Sequence, residues 1–425
     1  MLSLANALRT RFSAVRNQTE ALAAPLSAED QNIQSMADVS PTKWHRAHIT
    51  WFFETFVLSP FAPGYEPYDP AFGFLYNSYY ETVGARHARP DRGLISRPSV
   101  DEITAYRTAI DQAMVALLDD IDVLAPEDQA RVLELTELGL HHEQQHQELI
   151  LMDIKHVLSV NPIEPAYRAG REVSVASESP TLTWTDHPGG IVGIGHDSSR
   201  EFAYDNEGPR HDVLLQPFAM ADRLVTCGDW LEFMADRGYH HSTLWLSDGW
   251  HHICKVGWDA PGYWFAVDRE WHVFTLDGVR PVDPAEPVVH VSHYEADAFA
   301  RWAGARLPLE TEWETVAADQ PIEGNFVGDE PLAGPLHPTP DHGSGLRQLY
   351  GQVWQWTSSP YVGYPGFTTA EGAVGEYNGK FMSNQTVLRG GCCATPEGHT
   401  RATYRNFFPS HTRWMFSGLR LAKDT

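Results

Sequence analysis

Apolar residues recur at steps of three and four through roughly the first 160 residues, the spacing that lines one face of an α-helix. Leu4, Leu8, Phe12 and Val15 outline a first helix. Ser40-Pro41 is a start signal for a second, with Ser as N-cap and Pro in the first helical position. Its apolar stripe runs through Trp44, His48, Trp51, Phe52 and Thr55. Ser99-Val-Asp-Glu102 has the form of a capping box and opens a third helix, through about residue 122. Pro126 opens the fourth, which runs to about residue 159, just before Asn161-Pro162. Four helices with matching apolar faces predict a bundle. The connection over residues 60–98, rich in Gly, Pro, Tyr and Arg, is long for a bundle and points to function.

From about residue 180 the pattern changes. Gly189, Gly190 and Gly195, with strand-like runs such as Ile191-Val192 and Val213-Leu214-Leu215, replace the helical steps. Tryptophans at Trp230, Trp245, Trp250, Trp258, Trp264 and Trp271 fall in loop contexts, and short helices are expected at Cys227–Asp236 and Tyr294–Ala303. The pattern predicts an all-α bundle over residues 1–165 and an α+β domain over 180–425, joined by a linker from Pro165 to Pro180.

Composition narrows the function. A chain of 425 residues suits two or three domains. A net charge of −25 argues against nucleic acid as a partner, because phosphate contacts need an excess of lysine and arginine. The start, MLSLANALRTRF, lacks the apolar core of a signal peptide, and no run is long enough to span a bilayer, so no membrane partner is expected. Cys227, Cys254, Cys392 and Cys393 form no C-x-x-C pair. A cytoplasmic protein is the expectation.

The chemistry centres on His142-Glu-Gln-Gln-His146, a literal H-E-x-x-H, the motif of zinc proteases. Its context does not fit them. Leu149 and Met152 stand where a metzincin places Gly and its last His, and Glu164, a possible third ligand, is bracketed by Pro162 and Pro165. The inward stripe of the fourth helix reads Leu135, Leu138, His142, His146, Leu149, Asp153, so both histidines face the bundle interior while Glu143 lies about 100° away. His48 lies on the interior stripe of the second helix, with His45 as its rival three residues earlier. A single inward histidine is more often a hydrogen-bonded core residue. A pair one turn apart with a third on a facing helix is what a bundle-core metal site requires. His141 and His156 point elsewhere and read as structural.

His142-x-x-x-His146-x-Glu148, preceded by Trp44-His-x-x-His48-x-x-Trp51-Phe-Phe-Glu54, resembles the DinB-like bundle of the ergothioneine-forming sulfoxide synthases. The second half resembles their other domain, which has the formylglycine-generating-enzyme, C-type-lectin-like fold. The strings that carry this are Phe202-Ala-Tyr-Asp-Asn-Glu-Gly-Pro209, Val291-Ser-His-Tyr-Glu-Ala-Asp297, Ala305-Arg-Leu-Pro308, Glu312-Trp-Glu314 and Gly351-Gln-Val-Trp-Gln-Trp356. Leu388-Arg-Gly-Gly391, Tyr404-Arg-Asn-Phe-Phe408 and Phe416-Ser-Gly-Leu-Arg-Leu421 complete the set, and the likeness covers essentially the whole chain.

The resemblance implies a mononuclear non-haem Fe(II), with O₂ as co-substrate, joining sulfur to C2 of the imidazole of Nα-trimethylhistidine (hercynine) to give a sulfoxide. It implies His48, His142 and His146 as ligands, and Gln145 and Asn406 as hercynine contacts. Tyr79 and Tyr80 match tandem tyrosines that one branch uses near the iron, where a phenol can give a proton. Among Arg86, Arg89 and Arg92, Arg89 is placed best to hold the co-substrate carboxylate, leaving the others to solvent. Phe407-Phe408 replaces the Trp-Asp of the branch that takes γ-glutamylcysteine, which points to free cysteine as the thiol. A sister family with the same iron motif and domain order uses a selenosugar and makes selenoneine. Two other classes compete: a DinB-type metal-dependent thiol transferase, which has no use for the Tyr79-Tyr80 loop or Asn406, and a non-catalytic binding module, which needs no metal at the three histidines.

Overall fold

The computed structural model describes residues 2–78, 80, 84–168, 179, 181–197, 201–370 and 378–425. The chain divides into two compact units, the first built mainly from Met1–Ile163 and the second from Glu164 onward. Most of the stretch from Pro165 to Pro180, expected as a linker, lies outside the described residues.

Four long helices make up the first unit among its described residues: Leu2–Ala23, Thr42–Phe53, Val100–Asp119 and Pro126–Ser159. Ala5, Leu8, Phe12 and Val15 bury the inner face of the first, whereas Leu4 is exposed. Burial of Leu8, Phe12 and Val15 contributes about 1.5–3 kcal/mol each relative to exposure. The capping box forms as expected, with Ser99 accepting from the Glu102 N–H and Glu102 from Ser99. The start of the second helix differs. Pro41 is its N-cap, and Ser40 makes no cap; its N–H donates to Asp153 at 2.8 Å and its hydroxyl accepts from Arg92. Every residue of the second helix is buried, because the other helices and the long connection enclose it on all sides.

The second helix passes into a π-helical turn, Glu54–Leu58, an arrangement common at functional positions. Glu54 accepts hydrogen bonds from the Tyr65 hydroxyl at 2.7 Å, from the Tyr68 N–H at 2.7 Å and from the buried Tyr106 hydroxyl. One carboxylate therefore pins the start of the long connection to the third helix. Gly139 sets the approach of the fourth helix. A Cβ there would lie 2.5 Å from a ring carbon of Phe53 and 3.0 Å from one of Phe52, so only glycine lets the second helix pack this close.

The second unit is α+β. A four-stranded sheet runs in the order Asn406–Phe408, Thr386–Arg389, Trp354–Pro360, Ser417–Gly418, the last pair parallel. Trp184–His187, Phe218–Leu224 and Arg420–Asp424 form an antiparallel three-stranded sheet, and Gly190–Ile194 pairs with His211–Leu215. The expected short helices are Cys227–Ala235 and His293–Trp302, each opened by a capping box. Two more helices, Ser247–Val256 and Glu310–Ala317, go beyond those the sequence pattern predicts. A core of Leu215, Phe218, Met220, Trp313, Val316, Leu349 and Tyr350 joins strands to the Glu310–Ala317 helix. No described helix is long and apolar enough to cross a membrane.

Candidate metal centre

Helical spacing places His142 and His146 one turn apart on the fourth helix, and the close approach at Gly139 brings His48 of the second helix against them. One ligand nitrogen from each lies within 4.8 Å of the others, and among the described residues this is the group that could hold a metal ion. Ring centroids are 4.7 Å apart for His142 and His146, 4.8 Å for His48 and His146, and 5.1 Å for His48 and His142. All three are buried, with exposures of 2%, 4% and 6% for His48, His142 and His146.

Burial first, and then the neighbouring rings, push His48 and His146 well below the usual imidazole range. Burial lowers His142 to about 4. Three neutral imidazoles thus converge, each able to offer a lone pair. That donor set, with no carboxylate in it, fits a borderline divalent metal such as iron or zinc rather than calcium or magnesium. The tautomers agree. His48 Nδ1 lies 2.5 Å from the Tyr76 carbonyl, which can only accept, so Nδ1 carries the proton and Nε2 the lone pair. His48 is also stacked between Trp44 (4.6 Å, 12°) and Trp51 (5.6 Å, 20°), which fixes its ring plane.

His45, its rival, lies outside the triad. Its Nδ1 is 2.8 Å from His146 Nδ1 and its Nε2 is 3.0 Å from Asp153 Oδ2. Glu143 is equally remote from any role as a base. It is fully buried and accepts from Thr19 at 2.7 Å and from Arg16 and Arg107 at 3.1 Å each, and these partners hold its carboxyl below the ordinary range against the cost of burial. The hydrolytic reading of H-E-x-x-H has no base here. His141 meets Arg11 at 3.0 Å and His156 meets Ser35 at 2.7 Å, both structural contacts.

The long connection is tied to the ligand helix at several points. Trp44 Nε1 donates to the Leu75 carbonyl at 3.1 Å and His48 to that of Tyr76, while Arg92 donates to the Ser40 hydroxyl just ahead of the helix at 2.9 Å and, within the connection, to the Ser78 hydroxyl at 3.0 Å. Arg92 also lies 3.3 Å over the Trp44 ring. Arg92 is therefore buried, not solvated as the sequence suggested. Burial follows from its two serine partners and the indole face, which replace water around the guanidinium. Tyr80 is buried against Phe56 (5.0 Å) and Trp51 (5.7 Å), and Phe52, 6.4 Å from Tyr80, packs on His142 at 4.9 Å. Tyr79 lies outside the described residues. Arg86 is exposed, and Arg89 is partly so and donates to the Asp38 carbonyl. Gln145, partly buried, stands between the two ligands of the fourth helix.

Asn406, Phe407 and Phe408 form an edge strand of the second unit and are partly exposed. Phe407 stacks on Tyr361 at 4.0 Å, Phe408 meets Trp414 edge-on at 5.7 Å, and Asn406 Oδ1 accepts from the Phe407 N–H. The preceding Arg405 is buried against Glu310, a pairing that anchors the strand.

Residues 11–150 match the DinB superfamily, and residues 177–425 match the sulfatase-modifying factor enzyme 1-like domain. The chain is 31% identical to a hercynine oxygenase of Mycolicibacterium smegmatis, over 91% of each chain. It is 31% identical to the hercynine oxygenase of Mycolicibacterium thermoresistibile, over 96% of this chain and 93% of that one. Ergothioneine biosynthesis protein 1 of Schizosaccharomyces pombe is 26% identical over 52% of this chain and 28% of its own length.

Proposed function

The chain belongs to the family of hercynine oxygenases, the ergothioneine-forming sulfoxide synthases, and from that premise we propose that it is an Fe(II)- and O₂-dependent enzyme that joins cysteine sulfur to C2 of hercynine. The observation that carries the reading is the buried, neutral His48, His142, His146 triad; three protein ligands on an iron would leave coordination positions for substrates. Hercynine C2–H, a thiol and O₂ balance to the C–S-bonded sulfoxide and one water. Bound iron would supply the oxygen chemistry that no side chain here provides.

The protein's own residues would do the rest. Gln145 and Asn406 are neutral amides that can bond the imidazole and its neighbourhood without ionising either. Phe407 and Phe408 offer apolar faces suited to a quaternary ammonium or to a small thiol, and no carboxylate to pair with the ammonium of a γ-glutamyl group. Arg89, with Arg86 three residues before it in the sequence, is assigned to the co-substrate carboxylate. Tyr80, or its neighbour Tyr79, gives the proton, and the dry aromatic wall of Trp51, Phe52 and Phe56 keeps water from Tyr80.

The test is to supply Fe(II)-loaded protein with hercynine, cysteine and O₂ and weigh the product. A mass equal to hercynine plus cysteine plus one oxygen, less two hydrogens, is expected. Product formed only from a selenosugar would move the donor to selenium. No product from hercynine under O₂, with cysteine instead conjugated without O₂ to an electrophile that loses a leaving group, would replace the oxygenase reading with a thiol transferase.

A further inference from the structure

His146 is held differently from His48. A backbone carbonyl fixes the tautomer of His48, whereas two buried side chains stand behind His146. Asp153 lies seven residues beyond His146 on the same helix, and His45 lies three before His48 on the other. The helices that carry the ligands therefore carry this second pair as well. Asp153 and His45 are 3% and 2% exposed, so bulk water cannot stand in for either.

The proton order along the chain follows from what each atom can do. Asp153 Oδ2 accepts from the Ser40 N–H at 2.8 Å and faces His45 Nε2 at 3.0 Å. A carboxylate has only acceptor sites, so His45 carries its proton on Nε2 and its lone pair on Nδ1. That lone pair faces His146 Nδ1 at 2.8 Å, which must then be the donor. The proton of His146 is thereby committed to Nδ1, and Nε2 is left with the lone pair. We propose that Asp153 and His45 are positioning residues that lock His146 in the one tautomer able to bind the metal through Nε2. The Ser40 contact ties the same carboxylate to the start of the second helix, so the lock also sets the register between the two ligand-bearing helices.

The inference rests on the reading of the triad as a metal site, and two measurements separate the two. In the metal-free chain, ¹⁵N–¹H correlation spectra report the tautomer of His146 directly. The expected result is protonation at Nδ1 in the wild type and a loss of that preference in His45→Phe, which keeps a ring but has no acceptor. Anaerobic titration with Fe(II) alone then reads affinity, with a fall of about 10–100-fold expected in His45→Phe. In His45→Gln, whose amide can donate to Asp153 and accept from His146, affinity should return to within about tenfold of wild type. Wild-type His146 protonated at Nε2 overturns the proposal whatever the variants do. So does wild-type iron affinity in His45→Phe, or a Gln variant as weak as the Phe one. Failure of the wild type to take up iron, with His146 protonated at Nδ1, would sink the metal site and with it the purpose of the lock.

Discussion

Glu143 shows how a single carboxylate can carry a motif's reputation without its chemistry. It is enclosed by Arg16, Arg107 and Thr19, and its charge is matched by guanidinium groups that are themselves buried. Glu143→Gln would leave those charges under-compensated in the core. A loss of about 3–5 kcal/mol in unfolding free energy is expected, read by urea denaturation, with the iron content of the folded fraction unchanged. A catalytic base would show the reverse: a stable protein without activity. Tyr80 calls for the opposite signature. Tyr80→Phe keeps the ring against Phe56 and Trp51 and removes only the hydroxyl, so stability and iron content should hold while product formation slows about 10²-fold or more. Single-turnover rates beside iron analysis check this directly.

At the scale of elements, the site depends on how closely the second and fourth helices approach. Gly139→Val would drive a branched side chain into Phe52 and Phe53, at the turn preceding His142. The helices must part or the rings must move, at a cost of about 1–3 kcal/mol. Because His48 is on the displaced helix, Fe(II) affinity should fall along with the melting temperature, roughly tenfold or more on the scale of disturbed ligand support. Titration of the folded variant measures it. Helical periodicity made the fourth helix and the inward pair His142 and His146 legible in the sequence, since both follow from steps of three and four. It could not separate His48 from His45, which share nearly the same face; the Tyr76 carbonyl and Asp153 make that distinction, and neither contact is local. The same limit hid Glu54, whose three donors come from positions 11, 14 and 52 residues away. The helix Glu310–Ala317 is not legible in the sequence because its eight residues include no long apolar stripe and follow directly on Pro308-Leu309.

At the scale of the whole molecule, each unit keeps a neutral histidine in its interior. Burial holds His142 in the first unit and His293 in the second at about 4, below the ordinary 6.5. Between those values the unfolded chain binds protons that the folded chain refuses. Stability is therefore complete above pH 6.5 and is lost progressively as pH falls towards 4. Metal-free protein should unfold more readily at pH 5 than at pH 7.5, by on the order of 2 kcal/mol per group at most, read from urea melts at the two values. Reading these units from sequence succeeded where a local signal marks an element, as Ser99-Val-Asp-Glu102 does for the helix Val100–Asp119, and failed in connections whose order comes from distant partners. The central claim is that His48, His142 and His146 hold an iron that hercynine meets. It is tested most directly by loading the metal-free chain with Fe(II) under anaerobic conditions, adding nitric oxide as a spin probe, and recording spectra of wild type and His142→Ala with and without hercynine. About one iron per chain is expected in the wild type, with a nitrosyl signal that changes shape when hercynine is added and is absent from His142→Ala. A wild-type signal indifferent to hercynine, or a His142→Ala protein with the wild-type spectrum, would contradict it.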